Sequence, residues 1–187
     1  MNVETAIKTR RAYRSLDPAY IDKNLVDDLA KNASLAPSCF NNQPWRFVFV
    51  YEQGILDKLK NEALTRGNAW AKDASMIIAV FSKQELDCVI RNRIYFLFDT
   101  GLATAFLILR ATELGLVAHP IAGYKEQKVK EILGIPEDMT IITLIIVGKH
   151  SSEIKDVLNE KQKEAEVKRP ERLPLSEFVY YNKYSPY

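Results

Sequence analysis

Apolar positions along the chain repeat at two spacings, and the alternation between them predicts a layered fold of helices and strands. Val3, Ala6 and Ile7 mark one face of a first helix that Asn2 can cap and that ends near Arg10. Leu25, Val26, Leu29 and Ala33 recur at helical spacing between about Asp22 and Leu35, and Pro37 stops the pattern. Phe47 to Tyr51 is a β-rich apolar run, Ile55, Leu56, Leu59 and Leu64 mark another helix, and Met76 to Phe81 has the length and composition of a buried strand. Glu126 to Leu133 is helical up to Gly134 and Pro136. Ile141 to Val147, followed by Gly148, is a second buried strand.

The longest apolar segment runs from Asn92 to Leu114. Asp99, Arg110 and Glu113 interrupt it, and Gly101, Ala103 and Ala105 are small, which suits a central helix of a soluble domain better than a membrane span. A helix apolar on nearly every face must be covered all round, and a chain this short points to a partner subunit for part of that cover. Ser151 to Glu166 is charged and loosely helical. The tail beyond it carries Pro170, Pro174 and several tyrosines, an aromatic content that predicts packing on something. The pattern as a whole predicts one α+β domain over residues 1–187, with four or five strands in an antiparallel or mixed sheet around a long central helix.

Composition narrows the function. In 187 residues, 47% hydrophobic, there is core enough to fold without disulfides or metal. The 26 basic and 24 acidic residues are interspersed, so neither nucleic acid nor a membrane surface is an expected partner and any anion site is local. Cys39 and Cys88 lack CxxC spacing, and His119 and His150 are the only histidines, so no metal site is expected. The N-terminus carries Glu4 and no apolar core segment, which predicts a cytoplasmic protein. There is no GxGxxG or P-loop, which disfavours a Rossmann oxidoreductase.

Three stretches carry candidate chemistry. Pro37-Ser38-Cys39-Phe40-Asn41-Asn42-Gln43 joins the second helix to the first strand, and its hydroxyl and amide groups both donate and accept, as a heteroaromatic edge or polyol requires. Arg10, Arg11 and Arg14 fall within five residues, a phosphate clamp of permanently charged, bidentate donors. His119-Pro120-Ile121-Ala122-Gly123 precedes a helix. Each has a plainer reading: a turn, a favourable helix end, and a loop built on Pro and Gly.

Taken together these stretches resemble the nitroreductase family of FMN-dependent enzymes that use NAD(P)H. The order Pro37, Ser38, Asn41, Gln43, Pro44, Trp45 before an aromatic strand is similar to the family's flavin loop. Thr9-Arg10-Arg11-Ala12-Tyr13-Arg14 matches its basic segment, with Ala12 where a serine is common. Asp99, Gly101 and Ala103, followed by Leu114-Gly115-Leu116, resemble its central helix. Arg172-Leu173-Pro174 resembles its terminal phosphate contact, with Lys168 or Arg169 in place of a second basic residue.

The resemblance implies an intertwined homodimer with a mainly antiparallel sheet, the flavin at the interface, and a C-terminal arm, about 164–187, packed on the partner subunit. It implies that Arg10, Arg11, Arg14, Arg169 and Arg172 hold phosphate and ribityl groups. Pro37, Ser38, Cys39, Asn41 and Gln43 would hold the ribityl chain and ring edge, and Pro120, Ile121, Ala122 and Gly123 the ring face and its N5 side. No side chain acts as catalytic acid or base, because flavin N5 carries the chemistry. The implied reaction is ping-pong hydride transfer from NAD(P)H to a small electron acceptor such as a nitroaromatic or quinone. The alternative within the fold is a specialised flavin enzyme, a reductive dehalogenase or a flavin-destroying one, and the alternative from another class is a non-catalytic FMN-binding or interaction protein. Asn68, Trp70 and Lys72 are weaker candidates for contact with the cofactor. Cys39 is read either as a small buried hydrophobe or as a reactive thiol beside the flavin.

Overall fold

A computed structural model describes residues 1–185. Asn2 caps α1 (Val3–Thr9) by accepting the Thr5 amide, and a two-residue strand β1 (Leu16–Asp17) follows. Asp22 caps α2 (Lys23–Ser34) in the same way at Leu25. A 3₁₀ turn over Cys39–Asn41 leads into β2 (Arg46–Val50) and α3 (Gln53–Lys58), whose first amides, at Gly54 and Ile55, bond to the Glu52 carboxylate. Two irregular turns, Leu59–Ala63 and Arg66–Asp73, reach β3 (Met76–Ser82). The chain continues through a small hairpin, β4 (Val89–Ile90) and β5 (Arg93–Ile94), then α4 (Phe96–Glu113), β6 (Leu116–Ile121), α5 (Glu126–Leu133), β7 (Thr140–His150) and α6 (Glu160–Val167). A capping box between Asn159 and Gln162 starts α6.

The main sheet has five strands, all antiparallel to their neighbours, as the mainly antiparallel expectation requires. β3 lies between β2 and β7 and is buried at every position, which explains its uninterrupted apolar sequence. Side-chain alternation along β3 divides the core. Ile77, Ala79 and Phe81 join α3, α5 and Trp70 on one face, whereas Met76, Ile78 and Val80 join α2 and α4 on the other. Two helical layers therefore sandwich the sheet.

Three boundaries differ from the sequence reading. β7 extends past Val147 to His150, because β1 pairs with its far end; a Cβ on Gly148 would sit 3.3 Å from the Leu16 side chain, so glycine lets the strand continue there. Residues 119–121, expected as loop, are strand. Among the described residues β6 pairs only with β7, so the missing N–H of Pro120 is tolerated on its other edge. β1, β4 and β5 are two residues long, too short to show a period.

The central helix α4 begins at Phe96, later than the apolar segment suggests. It buries Asp99, Thr100, Ala103, Thr104, Leu107 and Ala111, yet leaves Leu97 50%, Phe98 63% and Phe106 40% exposed. Val3 and Ile7 of α1 are exposed too. An apolar surface of this kind is what a partner subunit would cover. Among the described residues no helix is long and apolar enough to cross a membrane.

Candidate functional site

The chain leaves α1 at Arg10 and turns toward β1, while α6 delivers residues 165–172 alongside it. The two segments hold each other. Arg11 Nη2 donates to the Ala165 carbonyl at 2.6 Å, and Arg169 Nη2 donates to the carbonyls of Lys8 at 2.6 Å and Arg10 at 2.8 Å. Glu166, almost wholly buried, accepts the amides of Arg14 at 2.7 Å and Ser15 at 3.1 Å. These bonds bring Arg10, Arg11, Arg14, Arg169 and Arg172 to the wall of one cavity of about 150 Å³. All five arginines named from the sequence meet there.

None of the five makes an ion pair with a carboxylate among the described residues; the arginine pairs there belong to Arg110, with Asp28 and Glu113. Burial, then the charges of Arg169 and Arg172, lower the proton affinity of Arg10, so the cluster is short of negative charge. The donor set fits a phosphate monoester, whose oxygens accept guanidinium bonds and whose charge relieves the repulsion.

Beneath this cavity lies an aromatic stack. Tyr13 stacks on His150 at 3.6 Å, Arg11 sits 4.6 Å from the Tyr13 ring centroid, and Trp70 lies 4.7 Å from His119. His119 Nδ1 is 3.0 Å from the Tyr13 carbonyl, which can only accept, so the proton is on Nδ1. Burial, helped by the charges of Arg14 and Arg10, pushes the His119 pKa down to about 4 against the pull of that bond, and the ring is neutral at pH 7.

The Ser38–Gln43 loop is held in a strained shape, with φ of 49° at Phe40, 59° at Asn41 and 49° at Gln43. Local bonds sustain it: Gln43 N–H donates to Ser38 Oγ at 3.0 Å, Arg46 to the Gln43 carbonyl at 3.0 Å, and Cys39 N–H to Asp99 Oδ2 at 2.6 Å. Burial and the neighbouring Asp87 push the Asp99 carboxyl up, while the Cys39 amide opposes them. Pro37, Ser38 and Cys39 line a groove of about 280 Å³ with Ile90, Tyr95 and Phe98. That groove shares no lining residue with the arginine cavity. In a single chain the two are separate cavities.

Cys39 departs from both sequence readings. It is joined to Cys88 in a disulfide, with Cα atoms 6.1 Å apart, so it is neither an inert hydrophobe nor a free thiol, and a chain read as folding without disulfides contains one. Nothing in the 49-residue separation signalled the pairing.

The third candidate stretch falls at the end of β6. Pro120 is exposed, Ile121 is buried, and Ala122 and Gly123 lead away from the strand. The Gly123 carbonyl accepts from Thr65 N at 3.2 Å, Thr65 Oγ1 at 2.9 Å and Asn68 Nδ2 at 2.9 Å. A Cβ here would lie 2.5 Å from Asn68 Nδ2 and 2.6 Å from Thr65 Oγ1, so a larger residue would have to displace these two side chains. Among the weaker candidates, Asn68 spends its amide group on this turn, Trp70 is core, and Lys72 is exposed.

The nitroreductase family model matches residues 7–67 and 57–149, spanning the basic segment, the polar loop, the central helix and β6. The chain belongs to the nitroreductase family. It is 30% identical over 150 residues to an Archaeoglobus fulgidus protein provisionally named NADH dehydrogenase/NAD(P)H nitroreductase, covering 76% of this chain and 82% of that one. An iodotyrosine deiodinase from Haliscomenobacter hydrossis is 26% identical over 74% of this chain and 75% of its own length. Among solved structures, one described as an oxidoreductase containing FMN superposes with a TM-score of 0.83 at 26% identity, covering 99% of this chain and 94% of that one. The nitroreductase fold is therefore shared over nearly the whole chain.

Proposed function

We propose that this nitroreductase-family chain is an FMN-dependent NAD(P)H oxidoreductase that folds as one domain and works as a homodimer. The observation that carries the reading is the cavity where Arg10, Arg11, Arg14, Arg169 and Arg172 converge without a carboxylate partner among the described residues. Bound FMN would supply two-electron chemistry at N5, taking hydride from NAD(P)H and passing it to a small acceptor such as a nitroaromatic or quinone.

The chain's residues bind and orient. The arginines hold the phosphate, and Glu166 fixes the backbone that carries Arg14. The Ser38–Gln43 loop offers hydroxyl and amide groups from a preset turn; its distance from the arginine cavity is met if the loop of one chain completes the cavity of the other. Residues 120–123 present the end of β6, held by Thr65 and Asn68, to the ring face. Neutral His119 keeps a second positive charge from the buried wall below. The exposed apolar face of α4 supports the homodimer, and the interspersed surface charge supports neither a nucleic-acid nor a membrane partner.

The deiodinase relative supports a second reading within the same fold, reductive dehalogenation. Anaerobic mixing with NADH or NADPH, followed by a panel of nitroaromatic, quinone and halophenol acceptors, tests both. Bleaching of bound flavin that only halophenols restore favours dehalogenation. Absence of bleaching by either nucleotide overturns the NAD(P)H reading.

A further inference from the structure

The Cys39–Cys88 disulfide ties the polar loop to the segment before the β4–β5 hairpin, and its surroundings are not those of a purely structural crosslink. Asp87 Oδ1 is well used, accepting the Cys88 amide at 2.8 Å and Asn42 Nδ2 at 3.3 Å. Asp87 Oδ2, in contrast, is buried with no hydrogen-bond partner among the described residues. An Asp87 carboxylate oxygen and the two sulfurs lie within 4.8 Å of one another. A disulfide has no hydrogen to give that acceptor, whereas a pair of thiols has two S–H donors. Asp99 also borders Asp87, and reduction would add two S–H donors beside the Asp87 carboxylate, which favours the dithiol state. Asn42 Nδ2 also lies 3.3 Å from Cys88 Sγ, where it can stabilise this sulfur as it leaves in thiol exchange.

We propose that Cys39–Cys88 is a reversible redox site, opened by a dithiol reductant, which governs the groove beside the loop. The exchange balances: the reductant's two thiols become its disulfide, the S–S bond breaks, and two electrons and two protons pass to Cys39 and Cys88. Reduction leaves the 84–95 segment joined to the loop by the 3.3 Å contacts of Asn42 with Asp87 and Cys88, without the covalent link. β4 and β5 pair only with each other, over two residues each, and Val89, Ile90 and Ile94 are exposed. Ile90 and Tyr95 line the groove with Pro37, Ser38 and Cys39, so release of this segment widens the groove. The proposal stands on the disulfide and its neighbours and needs no bound flavin, so it can fail while the FMN reading survives, or the reverse.

The test uses the full chain in dithiothreitol redox buffers without denaturant, with iodoacetamide alkylation read by intact mass. The expected result is a folded protein that gains two alkyl groups together under reducing conditions and none when reoxidised. Trypsin cleavage at Arg91 and Arg93 should be at least fivefold faster in the reduced form, and Cys88→Ser, checked for folding by its melting curve, should match that rate. In a fixed glutathione buffer, Asp87→Asn should leave at least threefold less of the protein reduced, because a neutral amide accepts more weakly from the thiols than a carboxylate does. Alkylation only after unfolding, or cleavage rates equal in both redox states, would overturn the proposal.

Discussion

At the residue scale, Glu166 and His119 set conditions for the basic cluster without belonging to it. Glu166 accepts two backbone amides from the Arg14–Ser15 segment, and Glu166→Gln turns one acceptor toward those amides into a donor. A buried amide left without a partner costs about 1–3 kcal/mol. Denaturant unfolding should show a loss of that size, with weaker FMN binding beside it; unchanged values in both would remove Glu166 from the account. His119 gives a pH dependence of defined sign. Its folded pKa, about 4, is below the ordinary histidine value of 6.5, so the unfolded chain takes up the proton first. The stability conferred by the neutral ring is present above pH 6.5 and is lost as pH falls toward 4, by roughly 3 kcal/mol in all. Melting curves across that range should show this loss in the wild type and a smaller one in His119→Gln. Arg10, Arg11 and Arg14 stood out in the sequence as three guanidinium groups within five residues, with a favourable helix end as the plainer reading, whereas Arg169 and Arg172 came from the family resemblance. Glu166 was not legible, since one glutamate in a charged stretch looks like surface.

At the scale of elements, β3 and α2 were readable because each carries a full period of its pattern. β1 and the β4–β5 hairpin were not, having two residues per strand, and β6 was misjudged because Pro120 reads as a turn until its edge position is known. The β6 turn depends on contact across the chain. Gly123→Ala places a methyl 2.5 Å from Asn68 Nδ2 and 2.6 Å from Thr65 Oγ1. Relieving such overlap costs about 1–3 kcal/mol, and the melting temperature of this variant should fall accordingly. A variant as stable as the wild type would mean that Asn68 and Thr65 give way freely. For α4, Phe98→Lys puts charge on a face already 63% exposed in the single chain. The monomer fold should tolerate it, while sedimentation should show weakened self-association; a dimer of undiminished strength would place the interface elsewhere.

At the scale of the molecule, the proposed homodimer would bring the polar loop of one copy to the arginine cavity of the other. The tail extends this reading: Leu173, Leu175, Phe178, Tyr181 and Tyr184 are all largely exposed in the single chain, though the last two residues of the expected 164–187 arm, Pro186 and Tyr187, lie outside the described residues. Truncation after Arg172 should therefore lower thermal stability and flavin content together. The expectation of a dimer came from the apolar central helix, the aromatic tail and the family resemblance, whereas the disulfide was not legible at all, because it joins residues remote in sequence. The claim beneath the whole account is that the five-arginine cavity holds the phosphate of FMN, and flavin fluorescence titration of the purified apoprotein tests it directly. A charge-assisted hydrogen bond contributes about 1.5–3 kcal/mol, so Arg10→Ala and Arg172→Ala should each raise the FMN dissociation constant about tenfold or more, with riboflavin binding nearly unchanged. Folded wild-type protein that binds no FMN, or variants that bind it as tightly as the wild type, would contradict the account.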